Sequence, residues 1–503
     1  MTKILSNNFN RNKIFKNKKV VLCHGVFDLL HLGHINYFKS AKKFGQILVV
    51  SITSDQFVNK GPGRPVFNLK QRLQFLSEIS CIDYICVSDE ETAIKVINKV
   101  RPNFYCKGPD YSYKQIKKDL NLKKEISATE KNSGKFVSIK EQSFSSSKLI
   151  NSNEMQDLDE DCKKFIGVMN KKYGLQKIIK EIKKIEKLKV LIIGETIIDK
   201  YIFTETVGKS GKEPILIFKK INETKFLGGI GYIANLISSF AKNIKIASFL
   251  GDSKNEINFI KQKLNKKINH TFFIKKNSPT INKLRYVDEY RKSKIFGVYD
   301  INDSFISENE EKKFIKYLRR EIKKHDVIIV ADYGHGMMTK NIRNEIFKYK
   351  EKIFLNTQIN SFNRGFHTLF HYKKINTLVI NESELRYELR DKNSNVDKLS
   401  KVLKQKIKLR NLIITKGKYG ANYYSKNKKN KVYCPAFGKK PVDAIGAGDA
   451  LFAISSLALG AGVKPDISTL IGSLAASYSI DQVGHEKYFN YKTLLKYLKH
   501  MIS

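Results

Sequence analysis

The chain has 503 residues, with 93 Lys and Arg against 48 Asp and Glu, a formal charge of +45, 41% hydrophobic residues and 11% aromatics. That apolar content excludes a disordered polyelectrolyte, and the length is too great for one ordinary core, so two or three domains are expected. The basic residues are 80 Lys and only 13 Arg, scattered among Asn and Ile along the whole chain; this reads as compositional bias rather than a nucleic-acid interface, and leaves a surface that steers anionic substrates.

The six cysteines form no C-x-x-C pair, no secretory leader opens the chain, and no apolar run reaches the ~20 residues of a membrane helix. A cytoplasmic protein with reduced thiols is expected, with no membrane and no nucleic-acid partner.

Residues 1–17 are polar and basic and read as a frayed arm. "KKVVLCHGVFD" (18–28) gives a buried strand entering a glycine turn, and "GHINYFKSAKKFG" (33–45) continues with helical spacing. Strand "QILVVSITSD" (46–55), helix "NLKQRLQFLSEIS" (68–80), strand "IDYICVSDE" (82–90), helix "TAIKVINKV" (92–100) and strand "PNFYCKG" (102–108) follow. "GKFVSIKEQSFSSSKLI" (134–150) adds a strand and the start of a helix. The alternation predicts a parallel sheet with helices on both faces.

Residues 151–186 change character. "NSNEMQDLDEDCKK" is acidic and reads as a linker, and "LQKIIKEIKKIEKLK" reads as an amphipathic helix leading into a second domain. "KVLIIGETIID" (189–199) restarts the buried-strand pattern, with further strands at "DVIIVADYG" (326–334), "TLVINESE" (377–384), "NLIITKG" (411–417) and "ANYYSK" (421–426). The fold class is therefore α/β in both halves, with boundaries at 1–150, 151–186 and 187–503.

In such a sheet, ligands sit at the carboxyl ends of strands, where a turn feeds a helix N-terminus. "HGVFDLLHLGH" (24–34) lies there: Gly25 and Gly33 allow close backbone approach, and His31 and His34 open the helix. Phosphate contact, a metal site and a packed turn compete. Zinc would need a third or fourth ligand, and only Asp28 is near.

The segment resembles the H-x-G-H motif of the cytidylyltransferase-like nucleotidyltransferases. "KGPGRPVFNLKQR" (60–72), "KGPDY" (107–111) and "SSSKLI" (145–150) follow in that family's order, and are most similar to the adenylyltransferase half of bifunctional heptose kinase/adenylyltransferases. The resemblance implies attack by a sugar phosphate on the α-phosphorus of a nucleoside triphosphate, with His31 and His34 as catalytic phosphate holders. It further implies nucleotide contacts from Gly25, Phe27, Asp28, Lys60, Arg72, Lys107, Ser146 and Ser147. His24 stands where the family usually has Asn.

"PVDAIGAGDALFAISSLAL" (441–459) places Gly446-Ala447-Gly448-Asp449 before an apolar helix. Such residues suit an anion hole with a carboxylate base, and equally a helix cap. The pattern resembles the signature of the ribokinase-like (PfkB) carbohydrate kinases. "GETIIDKY" (194–201), "LGGIGYIANL" (227–236), "SPTINKLRY" (278–286), "ADYGHGMMT" (331–339), "NESEL" (381–385) and "TKGKYGA" (415–421) occur in the expected order.

That resemblance implies a general base at Asp449 and a phosphate hole at Gly446, Ala447 and Gly448. Sugar contacts would come from Asp199, Gly228, Gly229, Asn235 and Arg285, and the ATP site from Lys416, Gly417 and Gly420. Asn381 and Glu384 would organise Mg²⁺ directly or through water. "IFKKINETKF" (217–226) would supply strands of a lid. Ala444, "LNTQIN" (355–360) and the run Gly229–Tyr232 depart from the family pattern, and the domain order is the reverse of that in the familiar bifunctional enzymes.

Together the resemblances imply a Rossmann-like nucleotidyltransferase followed by a ribokinase-like α/β sandwich with a small β lid, using ATP, Mg²⁺ and sugar phosphates, as a homo-oligomer. The expected activity is phosphorylation of a heptose 7-phosphate at its anomeric position and formation of ADP-heptose with release of pyrophosphate. CTP use giving another nucleotide-linked sugar or polyol, and a regulatory protein with an inactive kinase half, are the competing readings.

Overall fold

The computed structural model describes residues 2–6, 9–58, 64–108, 119–139, 158–426, 431–438 and 441–502. The chain divides into two compact units, Met1–Asp157 and Leu158–Ser503.

In the first unit six strands are described: β1 (Lys3–Ile4), β2 (Val20–Gly25), β3 (Ile47–Thr53), β4 (Tyr84–Ser88), β5 (Phe104–Lys107) and β6 (Lys135–Ser138). They form one parallel sheet in the order β1-β4-β3-β2-β5-β6. Strand residues divide by alternation: Val21, Cys23, Leu48 and Val50 enter one apolar cluster, whereas Val20, Leu22, Ile47 and Val49 enter another on the opposite face. Helices α1 (Arg11–Phe15), α2 (Leu32–Lys42), α3 (Leu69–Ser77), α4 (Ile94–Val100) and α5 (Leu120–Lys131) accompany the sheet. The chain runs outward from β2 to β4 and then returns to place β5 on the other side of β2. The topological switch therefore falls between β2 and β5.

The second unit opens with α6 (Glu160–Lys172) and α7 (Gly174–Ile182). Cys162, Ile166 and Met169 of α6 are buried in this unit's core, so the acidic stretch expected as a linker is from Leu158 onward part of the folded body. Their spacing of four and three puts them on one helix face, beneath the charges that dominate the composition.

Nine strands make the central sheet: β7 (Lys189–Gly194), β10 (Asn243–Leu250), β11 (Ile268–Ile274), β14 (Val327–Asp332), β15 (Ile353–Thr357), β16 (Lys374–Asn381), β17 (Lys408–Thr415), β18 (Ala421–Ser425) and β19 (Lys431–Cys434). Among the described residues their order is β11-β10-β7-β14-β15-β16-β17-β18-β19, parallel up to β17 and antiparallel beyond it.

A second sheet of four strands stands over one end: β8 (Thr196–Lys209), β9 (Leu216–Gly228), β12 (Ile281–Asp288) and β13 (Lys294–Asp300), ordered β13-β12-β8-β9. This is the expected lid. Helices α8 (Gly229–Ile237), α9 (Lys254–Lys263), α10 (Glu308–Glu321), α11 (Lys340–Phe347), α12 (Glu382–Leu389), α13 (Val396–Lys406), α14 (Ala447–Gly460), α15 (Pro465–Ile480) and α16 (Tyr491–Met501) complete the unit. Helices α14 and α15 are apolar around most of their circumference and lie inside the core, as such helices must.

Candidate active sites

In the first unit the loop after β2 meets the amino end of α2. His31 is the N-cap of α2 in extended conformation, and its ring centroid lies 4.0 Å from that of His34 one turn on. Phe27, held at φ +46°, packs edge-on against His34 at 5.7 Å between centroids, and a Cβ on Gly25 would press on the Phe27 ring. A non-glycine residue in left-handed backbone is uncommon and marks a tightly specified loop. Burial lowers the pKa of His31, and burial followed by the neighbouring His31 pushes His34 down to about 4. The imidazoles are therefore neutral near pH 7, and Nδ1 of His34 has no hydrogen-bond partner among the described residues. An anion at this helix end would favour the charged form of both rings.

Neighbouring positions are used differently from expectation. Asp28 is 3% exposed and accepts from Arg64 Nε (2.5 Å) and from the Val66 and Phe67 amides (2.9 Å each). It clamps the 64–67 segment onto the loop instead of facing a ligand. Arg72 is fully buried; it donates to the carbonyls of Phe67, Val26 and Thr53 and to Asp55, so its charge holds α3 to the strand ends and does not reach the cleft. Lys107, at the end of β5, ion-pairs with Glu125 of α5 at 3.3 Å and lies close enough to help lower His24, which burial pushes down to about 3. His24 turns its Nδ1 to Ser51 Oγ at 3.1 Å. Lys60, Ser146 and Ser147 lie outside the described residues. Among the described residues no three His, Cys, Asp or Glu side chains are grouped as a metal ion would require.

In the second unit the carboxyl ends of the central strands face the lid. Gly446, the N-cap of α14, has φ +81°, and a Cβ there would overlap the His485 ring, whereas a Cβ on Gly448 would meet open space. His485 is stacked on Tyr232 at 3.9 Å between centroids. The start of α14 thus presents backbone amides from Gly446, Ala447 and Gly448 with room for an anion above them.

Asp449 is in the first turn of α14, with Tyr333 Oη donating to its Oδ1 at 2.9 Å. Burial pushes its carboxyl up to about 6; the Tyr333 bond opposes this, Asp199 adds to it and Lys283 opposes it. A carboxylate tuned toward neutrality can accept a proton from a hydroxyl and release it again.

Asp199 of β8 is ion-paired with Arg285 of β12, and a Cβ on Gly228 would overlap Asp199 Oδ2. The guanidinium of Arg285 is 5.6 Å from the Tyr201 ring and 5.9 Å from that of Tyr299. Lys283 faces Asp199 across the β12–β8 ladder, buried, with its pKa lowered by that burial. Gly229 holds φ +55° where a Cβ would overlap the Glu195 carbonyl.

Asn381 and Glu384 form a capping box at α12: the Asn381 amide donates to Glu384 Oε2 at 3.0 Å and the Ile359 amide to Oε1 at 3.3 Å. Burial pushes Glu384 up to about 7, against those two amides and with Asp449 adding to the shift. A carboxyl raised by burial and by a neighbouring carboxylate suits a divalent cation. Asn381 and Glu384 would be the residues to hold a Mg²⁺, directly or through water, where it would supply positive charge to the phosphates. Lys416 leads a tight turn in which its own amide donates to the Gly420 carbonyl at 2.7 Å. Gly417 (φ +56°) faces open space, and a Cβ on Gly420 (φ +77°) would overlap the Cys434 carbonyl.

Asn235 departs from expectation. Its Nδ2 donates to the Lys263 carbonyl (2.9 Å) and Tyr488 Oη (3.0 Å), and its Oδ1 accepts from the Asn265 amide (2.8 Å). Its amide is thereby engaged with the carboxyl end of α9 and with Tyr488 rather than standing free for a sugar.

Residues 187–487 match the family model described as pfkB family carbohydrate kinase. The chain belongs to the pfkB family of carbohydrate kinases. Ahead of that segment, residues 22–152 match the model described as cytidylyltransferase-like.

Three proteins named bifunctional protein HldE are similar. The one from Aliarcobacter butzleri is 26% identical over 305 residues, 59% of this chain and 62% of that protein. The one from Syntrophotalea carbinolica is 41% identical over 99 residues, 19% of this chain and 20% of that protein. The one from Helicobacter pylori strain P12 is 43% identical over 101 residues, 20% of this chain and 22% of that protein. Each match covers less than two thirds of its relative's length. Among solved structures, phosphofructokinase-2 from Escherichia coli in complex with potassium aligns with 62% of this chain and 99% of its own at 14% identity and a TM-score of 0.49. Arabidopsis thaliana ribokinase complexed with ribose and ATP aligns with 62% of this chain and 99% of its own at 13% identity and a TM-score of 0.48.

Four residues of the pfkB cleft escaped the sequence reading. Tyr333 sets the charge on Asp449. Lys283 was legible from alternation, since in "INKLRYV" it shares a strand face with Arg285. Glu195 is buried at the root of the lid and accepts from the Tyr333 (3.0 Å) and His335 (3.2 Å) amides; burial and then Asp332 push it up to about 7. Asp443 accepts from Tyr201 Oη of β8 (2.7 Å) and Lys294 of β13 (2.5 Å), tying two lid strands to the loop before α14.

Proposed function

We propose that this chain is a bifunctional sugar-activating enzyme. Its second unit transfers a phosphoryl group from ATP to a sugar hydroxyl. Its first unit transfers the nucleoside monophosphate group of a nucleoside triphosphate to a sugar phosphate, breaking the α–β phosphate bond and releasing pyrophosphate.

The observation that carries the kinase half is Asp449: a carboxyl tuned to about 6 at the mouth of an amide-lined helix start, across from the Asp199–Arg285 pair. In this reading Asp449 takes the proton of the attacking hydroxyl, and the amides of Gly446 to Gly448 receive the transferring phosphoryl group. Asp199 and Arg285 orient the sugar, with Arg285 and Lys283 supplying charge for a phosphate already on it. Mg²⁺ would neutralise the triphosphate beside Glu384. In the first unit His31 and His34 hold phosphate oxygens at the start of α2 and donate hydrogen bonds to the negative charge that develops on the leaving pyrophosphate.

The motif resemblance to heptose kinase/adenylyltransferases, alongside the similarity to proteins named bifunctional protein HldE, favours a heptose 7-phosphate as kinase substrate, phosphorylated at its anomeric position, and ADP-heptose as final product. Incubation with ATP, Mg²⁺ and candidate sugar 7-phosphates, read by mass spectrometry, tests this. Asp449→Asn should lower sugar phosphorylation by orders of magnitude and spare the pyrophosphate released when a nucleoside triphosphate and a sugar 1-phosphate are supplied, and His34→Ala should do the converse. Loss of both activities in either folded variant would refute the two-site reading, and a panel of nucleoside triphosphates settles ATP against CTP.

A further inference from the structure

We propose that a cavity at the amino-terminal ends of β15, β16 and β17 binds a small anion carrying two or more phosphate groups. The cavity measures about 1230 Å³ and lies at the end of the central sheet opposite Asp449. Strand β16 begins there at Lys374 and ends at Asn381, and β17 begins there at Lys408 and ends before Lys416. A strand of eight residues spans roughly 25 Å, so no phosphate bound at the kinase cleft reaches this place.

Six cations line it: Lys350, Lys374, Lys404, Lys408, Arg410 and Lys426. Two carboxylates, Asp326 and Glu351, accompany them, and Asp326 already accepts from the Lys189 amide at 2.9 Å. None of the six cations enters an ion pair among the described residues. Six cations against two carboxylates in a concavity raise its potential and favour a multivalent anion.

The floor is built rather than incidental. Asn411 Nδ2 donates to Asn376 Oδ1 and Thr377 Oγ1 at 3.0 Å each, while its Oδ1 accepts from Tyr423 Oη at 2.7 Å. Lys404 is half-buried with its ammonium anchored to the Ser425 carbonyl at 2.6 Å, and burial lowers its pKa. An arriving phosphate would repay that burial. A polar floor whose amides are already paired leaves recognition to the six cations, which suit a compact polyphosphorylated molecule, and the volume is ample for one the size of a nucleotide.

The test uses the full chain and inorganic tripolyphosphate as probe, titrated calorimetrically at physiological salt. The variant Lys374→Glu/Lys408→Glu/Arg410→Glu is set against a control of equal net charge on exposed lysines elsewhere, Lys261→Glu/Lys266→Glu/Lys313→Glu. The proposal expects the cavity variant to lose one binding event, or to weaken it at least tenfold, while the control keeps wild-type stoichiometry and Kd. If charge reversal unfolds the unit, Lys408→Gln/Arg410→Gln replaces it with the same expectation. ADP binding there more tightly than pyrophosphate would assign a nucleotide, and equal binding would assign the phosphates alone. Equal losses in cavity variant and control, or no loss in either, would overturn the site. Single-stranded RNA displacing tripolyphosphate with higher affinity would overturn it in favour of a nucleic-acid surface.

Discussion

The Tyr333 hydroxyl donates to Asp449 Oδ1 across 2.9 Å, and this one bond opposes the burial that drives the carboxyl upward. Tyr333 is itself fixed from behind, because Asn360 and Asn363 Nδ2 both donate to its carbonyl, at 2.8 and 3.0 Å. Two residues from the stretch after β15 therefore fix the position of the donor that counters the burial of a carboxyl on α14.

Tyr333→Phe removes the donor that stabilises the charged carboxylate, so the pKa of Asp449 should rise further. The acid limb of kcat/KM for sugar phosphorylation, expected near pH 6 in the wild type, should move to higher pH. Activity at pH 6 should fall several-fold more than activity at pH 8.5. A uniform loss across the pH range would assign Tyr333 to packing alone.

Asp449→Asn should lower sugar phosphorylation by roughly 10²–10⁴. It should also stabilise the unit at alkaline pH. A carboxyl whose folded pKa lies above its unfolded value binds its proton more tightly when folded, so stability falls as pH climbs from about 4 to about 6. The amide variant escapes that penalty and should gain about 1–2 kcal/mol over the wild type at pH 8, after discounting for solvent at the cleft. Urea unfolding at pH 8 and pH 4.5 should show the gain shrinking toward the lower value.

Gly228→Ala places a methyl group where Asp199 Oδ2 now sits. The Asp199–Arg285 pair must shift, and the sugar KM should rise at least tenfold with a smaller change in kcat. Initial-rate kinetics at saturating ATP distinguish this from loss of the catalytic base, which would fall on kcat.

In the first unit, nucleotide binding should raise the pKa of His34 from about 4 toward neutrality, because phosphate favours the imidazolium. His31, already lowered by burial, should move the same way. Imidazole ¹³C shifts followed by NMR with and without a non-hydrolysable triphosphate measure both, and unchanged titration would remove the anion-holding role.

Arg72→Ala leaves three carbonyls without their donor and empties a fully buried volume, which should cost about 2–4 kcal/mol in the first unit. Calorimetry should show that unit's transition moving down while the other stays in place.

The sheets, the lid and the two helix starts were legible because runs such as "KVLIIG" and the Gly446–Asp449 turn carry their geometry locally. Direction was not legible. Asp28, Arg72 and Asn235 have the right chemistry for a ligand, yet each spends it on backbone groups or neighbouring side chains brought near by the fold. His31, His34 and Asp449 kept their expected stations because a helix end fixes both position and heading. Tyr333 went unread because its importance depends on a contact with a residue 116 positions away.

Glu195 is the single residue between β7 and β8, and two amides from the 333–335 turn grip its carboxylate. The covering sheet is therefore held at its base by Glu195 and again at Tyr201 and Lys294 by Asp443, which leaves the outer strands beyond those ties as the part with room to bend. Sugar entry should depend on how readily those outer strands flex, and stiffening them would slow exchange of substrate while leaving the proton chemistry at Asp449 untouched.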